Sequence, residues 1–316
     1  MNFPFFRLTG TAIFAASLLS CSPAIAWSQP GHMLTAAIAF DDLSVRDRAA
    51  VDTLADIISR HPDRGPFSVA IDRATGPERA LRLMMECARW PDDARGTLYD
   101  HPTWHYADRP IASDGAHAPD ATSGQAIEAL QLNFLEASDA KAPAADRAIA
   151  LCWVMHLAGD IHQPLHTASI YSKTYPQGDA GGTQQFIQDP DTRQVESLHW
   201  FWDDRVEKSA DVRTIEANAA DLEKRFPRAS LSELSATQPN DYAHWAFDES
   251  HAIAVASAYP DALKTSATNV SAPALPPGYA QTVSDIASRR IALAGYRLAD
   301  LLHAIAAVPL PEKKDK

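Results

Sequence analysis

The sequence predicts an all-α protein, a single mainly helical domain. Apolar residues recur at helical intervals along most of the chain, strand signals are scarce, and no repeat or low-complexity tract divides it. The first 26 of the 316 residues, MNFPFFRLTGTAIFAASLLSCSPAIA, read as a secretory leader. Arg7 precedes an apolar run from Thr11 to Leu19, and Ala24-Ile25-Ala26 forms a small-x-small cleavage site. That run is too short to span a bilayer, and no later one approaches twenty residues. Cleavage after Ala26 would make Trp27 the first residue. An alternative is a lipoprotein site at Leu18-Leu19-Ser20-Cys21, which would lipidate Cys21 and keep Trp27 internal. The expected divisions are a leader at 1–26, one helical domain at 27–308, and a flexible tail at 309–316.

The elements follow in chain order. From His32 to Ser59, Leu34, Ile38, Leu43, Val51 and Leu54 keep helical spacing, with Asp42 or Ser44 available to cap a second helix. ERALRLMMECARW predicts a short helix stopped by Pro91. HPTWHYA is aromatic and too brief to assign. SGQAIEALQLNFLEA and PAADRAIALCWVMHLAGDIH are two good helices, the second opening on Pro143. The chain then turns at Gln163-Pro164, because a residue before proline avoids the helical region. YSKTYPQGDAGGTQQF reads as a glycine-containing loop. Helical patterns resume at SLHWFWDDRVEK, VRTIEANAADLEKRF, DYAHWAFDESHAIAVASAY and QTVSDIASRRIALAGYRLADLLHAI.

Without the leader, 27 basic face 40 acidic side chains, a net −13. The bulk field of such a chain repels nucleic acid, so any polyanion partner needs a local positive centre. Of the cysteines, Cys87 and Cys152 remain after the leader, enough for one bridge but not for a disulfide framework.

The stretch LCWVMHLAGDIHQPLH, Leu151 to His166, holds the chemistry. His156 and Asp160 are four apart, on one face of a helix, and tetrahedral zinc accepts that combination of imidazole and carboxylate. His199 and Asp203 repeat the spacing in HWFWD, walled by Trp200 and Trp202. One such pair is common on helix surfaces; two in tryptophan-rich apolar surroundings need strong compensation for buried charge. His166 lies beyond the turn, and His162 points off the shared face, which suits a supporting role. ARWPDD adds Asp92 or Asp93, HPTWHYAD adds His101, His105 and Asp108, and WSQPGH adds Trp27, whose free amine could ligate zinc, and His32.

These residues in this order resemble the single-strand-specific zinc nucleases of the S1/P1 type, with the zinc-dependent bacterial phospholipases C as distant relatives. The resemblance spans WSQPGH, WPDD, WHYAD, HLAGDIHQPLH, GDAGG and LHWFWD, with weaker echoes in WAFDES and RIALAGYRLADLL. It implies a helical fold of the phospholipase C and single-strand nuclease type around a cleft with three Zn2+. Asp92, His105, His156 and Asp160 would hold one ion; Trp27, His32 and Asp160 a second; His166, His199 and Asp203 the third. It prefers Asp92 over Asp93 and His105 over His101. Two departures stand out. Thr183 follows Gly181-Gly182 where the family has asparagine, and Ser197 replaces an asparagine before Leu198-His199.

The expected reaction is hydrolysis of single-stranded DNA and RNA at the bond between phosphorus and the 3′ oxygen, leaving 5′ phosphates. 3′-Nucleotides would also be dephosphorylated. Asp92 would orient or deprotonate the attacking water, Arg95 would bind phosphate, Tyr106 would stack on a base, and Asp108 would hold Arg95 or meet a base edge. A solvated charge for Arg95 and core packing for Tyr106 are the plainer readings. No obligate protein partner is expected, and the chain would act as a monomer, secreted or periplasmic. The alternatives are a phospholipase C-like phosphodiesterase with nearly the same metals, and a zinc-binding protein without turnover.

Overall fold

Two long helices, buried on every side over much of their length, run through the centre of the molecule in the computed structural model, which describes residues 27–308 apart from 237 and 271. They are α1 (Gln29–Arg46), opened by Pro30 and buried from Pro30 to Phe40, and α6 (Ala144–Asp160), buried from Ala150 to Asp160. A helix without a polar face must be enclosed by others. The enclosing elements are α2 (Arg48–Ile58), α3 (Arg64–Arg73), α4 (Gly76–Asp93), α5 (Ala126–Ala137), α8 (Val212–Arg225) and α11 (Tyr279–Ala306). α1 packs on α4 and α11, while α6 packs on α4 and α5. The expected all-α class is the observed one. The leader with Cys21 and the tail from 309 lie outside the described residues. Among those described, no helix is long and apolar enough to cross a membrane.

Two local expectations are corrected, and one helix is added. The α1–α2 break falls at Asp47, not at Asp42 or Ser44; the Asp47 carboxylate accepts from the Ala50 amide at 3.1 Å as a helix cap. α4 continues through Pro91 to Asp93. Proline there withholds one N–H, whose intrahelical partner would be the Cys87 carbonyl, and two residues before the helix end that loss is tolerable. The segment Arg64–Arg73, not singled out by its pattern, forms α3.

Short strands occupy parts of the loops. β1 (Ala107–Ala112) pairs in parallel with β3 (Ala168–Tyr171) and antiparallel with β2 (Ser123–Gly124). β4 (Phe186–Gln188) and β5 (Val195–Ser197) form a hairpin that leads into α7 (Leu198–Asp203). After α9 (Glu233–Ala236) comes a helical run made of a π turn at His244–Ser250, α10 (His251–Ile253) and a second π turn at Ala254–Ala258. Cys87 on α4 and Cys152 on α6 form a disulfide, with their Cα atoms 4.6 Å apart. This ties together the two helices that carry Asp92 and Asp160.

Candidate metal centre

α6 presents His156 and Asp160 from one face, both sealed from solvent. The carboxylate of Asp160 faces two ways. Oδ1 lies 3.3 Å from His32 Nε2, and Oδ2 lies 3.3 Å from His156 Nε2 and 3.4 Å from His105 Nδ1. His32 reaches the site from the first turns of α1 and stacks on His156, their ring centroids 3.9 Å apart. Gly159 makes room for it, since a Cβ there would sit 3.0 Å from His32 Nδ1. Trp27 is buried against the same glycine and donates its indole N–H to the Gly159 carbonyl at 3.1 Å.

From α4, Asp92 places Oδ1 3.8 Å from His156 Nε2 and 3.9 Å from His105 Nδ1. Asp93 turns away and accepts from Gln29 Nε2 at 2.6 Å. His105 closes the 3-10 turn Pro102–His105, whereas His101 stacks on Trp104. A second assembly lies past the Pro164 turn. His166 Nε2 sits 3.1 Å from His199 Nε2, which is 3.4 Å from Asp203 Oδ2. The nine expected positions thus include three compact groups: His32, His156 and Asp160; Asp92, His105 and His156; and His166, His199 and Asp203. Within each, one donor atom per residue lies within 4.8 Å of the others.

Hydrogen bonds fix how the imidazoles point. Nδ1 of His156, His166 and His199 meets the backbone carbonyls of Ala88 (2.8 Å), His105 (2.6 Å) and Gly181 (2.7 Å). A carbonyl accepts only, so each Nδ1 carries the proton and each neutral ring aims an Nε2 lone pair inward. The Nε2 lone pairs of His166 and His199 therefore face one another. Both Asp160 oxygens, Asp92 Oδ2, Asp203 Oδ2 and both ring nitrogens of His32 are buried without a hydrogen-bond partner. Burial holds His32, His105, His156 and His166 below the ordinary histidine value, and neighbouring imidazoles add to the effect at His32, His105 and His166. Burial likewise raises Asp160 and Asp203 well above the usual carboxylate range. Facing lone pairs beside unpartnered carboxylates form a donor set that suits divalent zinc.

Residues 27–307 match the S1/P1 nuclease family. The chain belongs to that family. No curated protein matches it. Membership makes the chain a hydrolase that cuts nucleic acids, and both departures from the S1/P1 pattern can now be located. Ser197 is the N-cap of α7, its Oγ accepting from the Trp200 amide at 3.1 Å. Serine and asparagine cap about equally well, so the helix carrying His199 and Asp203 keeps its anchor. Thr183 follows a glycine pair with φ of +62° and +83° at Gly181 and Gly182. Its hydroxyl contacts the Asp179 carbonyl at 3.5 Å, in the turn beneath His199.

The remaining sequence candidates follow Asp92 or His105 closely in the chain. Arg95 donates to Asp92 Oδ1 through Nη2 at 2.8 Å and Nε at 3.3 Å. Asp108 is buried with Oδ1 lacking a hydrogen-bond partner, and burial followed by the Asp179 charge raises it well above the usual carboxylate range. Tyr106 is half-buried just before β1, where Gly124 lets β2 approach it closely. His162 lies in the turn beyond α6 rather than on the helix, and its Nδ1 meets the Ala158 carbonyl at 2.7 Å. Sequence reasoning passed over Gln163, which is fully buried and donates to Asp203 Oδ1 at 2.7 Å. Its signal was a lone amide between apolar residues and a proline.

Proposed function

We propose that this S1/P1 nuclease is a zinc-dependent endonuclease of single-stranded DNA and RNA that leaves 5′ phosphates and also removes phosphate from 3′-nucleotides. The facing Nε2 lone pairs of His166 and His199, set beside unpartnered carboxylate oxygens, carry the reading. Asp92, His105, His156 and Asp160 would hold one zinc, His32 and Asp160 a second together with the Trp27 amine and carbonyl, and His166, His199 and Asp203 a third. Bound there, zinc supplies Lewis-acid activation of water and neutralises phosphate charge.

The chain's own residues do the rest. Asp92 has Oδ2 free of protein hydrogen bonds, so it can orient water and take its proton at that atom. Arg95 bonds to Oδ1 of the same carboxylate, which keeps a cation beside the phosphate position. Tyr106 offers a ring for stacking, worth about 1–3 kcal/mol per base and tolerant of sequence. Asp108 can meet the polar edge of that base. A recessed group of donors favours single strands, whose bases splay from the backbone. The Trp27 indole anchored on Gly159 fixes that residue close to α6, which suits cleavage after Ala26 and use of the freed amine as a ligand. Export follows from the leader, and the chain would act as a monomer.

The test uses the mature secreted chain on single-stranded DNA, RNA, duplex DNA, 3′-nucleotides and phosphatidylcholine, with and without chelator. Expected are cleavage of both single strands and release of phosphate from 3′-nucleotides, lost with metal and restored by zinc. Undiminished cleavage after complete metal removal overturns the reading, and lipid cleavage without nucleic-acid cleavage selects the phospholipase-like alternative. N-terminal sequencing should begin at Trp27.

A further inference from the structure

Two stretches play no part in the chemistry above: Trp245–Ser250 in the first π turn, and Arg290–Arg297 on α11. They converge on the turn that joins the metal groups. That turn, Ile161–Leu165, runs from Asp160, which faces His32 and His105, to His166 in the other assembly.

Arg290 and Arg297 lie two helical turns apart, and both are buried. Each donates to Glu249: Arg290 Nη1 at 2.7 Å to Oε2, Arg297 Nη1 at 2.7 Å to Oε2 and Nη2 at 2.6 Å to Oε1. Other N–H groups of the pair reach the turn directly or through Ser250, while Arg297 Nη2 also donates to the Glu233 carbonyl at 3.3 Å. Arg290 Nε donates to the His162 carbonyl at 3.1 Å, and its Nη2 to Ser250 Oγ at 2.7 Å. Ser250 Oγ in turn donates to the Ile161 carbonyl at 2.6 Å. Arg297 Nη1 lies 2.8 Å from His162 Nε2. That nitrogen is an acceptor, because Nδ1 gives its proton to the Ala158 carbonyl at 2.7 Å. Beyond the gripped residues, Gln163 passes the constraint to Asp203.

Two buried guanidinium groups on one carboxylate are a poor way to gain stability, since apolar residues of similar volume commonly do as well or better. Their value lies in direction. A planar fork with fixed N–H vectors holds chosen carbonyls in place as no apolar packing can. The wide π turn contributes by lining Glu249 and Ser250 up with α11 and the turn together.

We propose that Glu249, Ser250, Arg290 and Arg297 are positioning residues. They form a clamp on Ile161 and His162 that sets the separation between the Asp160 groups and the His166–His199–Asp203 group. The proposal rests on the metal-centre reading above.

The test compares the parent chain with Ser250→Ala, Glu249→Gln and Arg297→Lys. Each is stripped of metal and titrated with zinc, then with cobalt for its visible spectrum, and the metal-free forms are melted. Lost support of ligand orientation lowers metal affinity 10–100-fold, and that loss, with an altered cobalt spectrum, is expected in all three. Lysine keeps the charge of Arg297 but cannot span His162 and Glu249. A merely structural role would lower the metal-free melting temperature and leave the affinity of the folded protein unchanged. Affinities within twofold of the parent and superimposable cobalt spectra overturn the clamp. If Glu249→Gln or Arg297→Lys does not fold, Ser250→Ala, which deletes one hydroxyl, decides the matter by itself. A parent that takes up no divalent ion overturns the metal centre and the clamp together, whereas a metal-binding parent with unaltered variants overturns only the clamp.

Discussion

Replacing Gly181 by alanine should damage one metal group far more than an ordinary glycine substitution damages a turn. Gly181 has φ +62°, and its carbonyl receives the His199 Nδ1 proton at 2.7 Å. A Cβ there would overlap the Leu165 carbonyl oxygen, one residue from His166, and would stand 3.2 Å from His199 Nδ1. The left-handed conformation alone costs an alanine about 1–2 kcal/mol. Forcing a methyl group against packed backbone adds about 1–3 kcal/mol. Gly115→Ala separates the two contributions, because Gly115 also has positive φ, +70°, with nothing within 4 Å of a Cβ. Denaturant unfolding of both variants should therefore show Gly181→Ala weaker than Gly115→Ala by about 1–3 kcal/mol. Metal titration should separate them further. Gly181→Ala moves the carbonyl that orients His199, an effect worth about 10–100-fold in affinity, while Gly115→Ala binds like the parent. Equal stability losses, or parent-like metal affinity in Gly181→Ala, would refute the assignment of this loop as the support of His199.

Three further outcomes follow from the same structure. Replacing Cys87 and Cys152 by alanine releases a crosslink spanning 65 residues; loop-closure entropy puts the loss at about 4 kcal/mol, and a denaturant midpoint corresponding to under about 1 kcal/mol would contradict that account. Ser197→Ala should cost about 1 kcal/mol through loss of the α7 cap and Ser197→Asn almost nothing, a difference that melting curves of the two variants will display or deny. Burial, with help from the Asp189 carboxyl, pushes Glu196 from 4.5 up to about 7. A carboxyl raised in this way contributes stability below pH 4.5 and loses it as pH rises through 7. The parent should therefore weaken relative to Glu196→Gln across that window and keep a constant deficit above it; parallel stability curves for the two proteins would show the carboxyl to be unperturbed.

The sequence made the candidate metal donors legible because ligation demands residue types at fixed spacing. His156 with Asp160 and His199 with Asp203 needed only the helical repeat to be placed on common faces, and both pairs sit one turn apart in α6 and α7. Local propensity also found most helices, since α1 and α6 are apolar enough to require enclosure. It failed where tertiary contacts decide. Pro91 reads as a stop signal, yet α4 carries on past it to deliver Asp92. The parallel pairing of β1 with β3 joins segments some sixty residues apart, and nothing in six or four residues of strand announces a partner at that distance. Gln163, Ser250 and Arg290 lie in segments that carry the resemblance, but their roles were illegible for the same reason. Each acts by hydrogen-bonding to an element remote in sequence, and a single polar residue carries no record of what it will meet.

The polar interior of the site also dictates an order of events. Asp160 offers two unpartnered oxygens, Asp203 and Asp92 one each, and the imidazoles of His156, His166 and His199 turn lone pairs toward them. Each unsatisfied buried polar group costs about 1–3 kcal/mol, so the unpartnered oxygens of Asp92, Asp160 and Asp203 oppose folding unless a ligand serves them. A single proton can serve only one facing pair. Phosphate brings more acceptor oxygens to a site already made of them, and Arg95, the cation at the edge, is engaged with Asp92. The acidic balance of the whole chain, −12, repels the same anion at longer range. A divalent cation would remove both obstacles, because the carboxylates and imidazoles could hold it and it would supply the missing positive charge. On the proposed zinc reading, metal uptake would precede substrate binding, because cations would offset the acidic charge before a polyanion arrived.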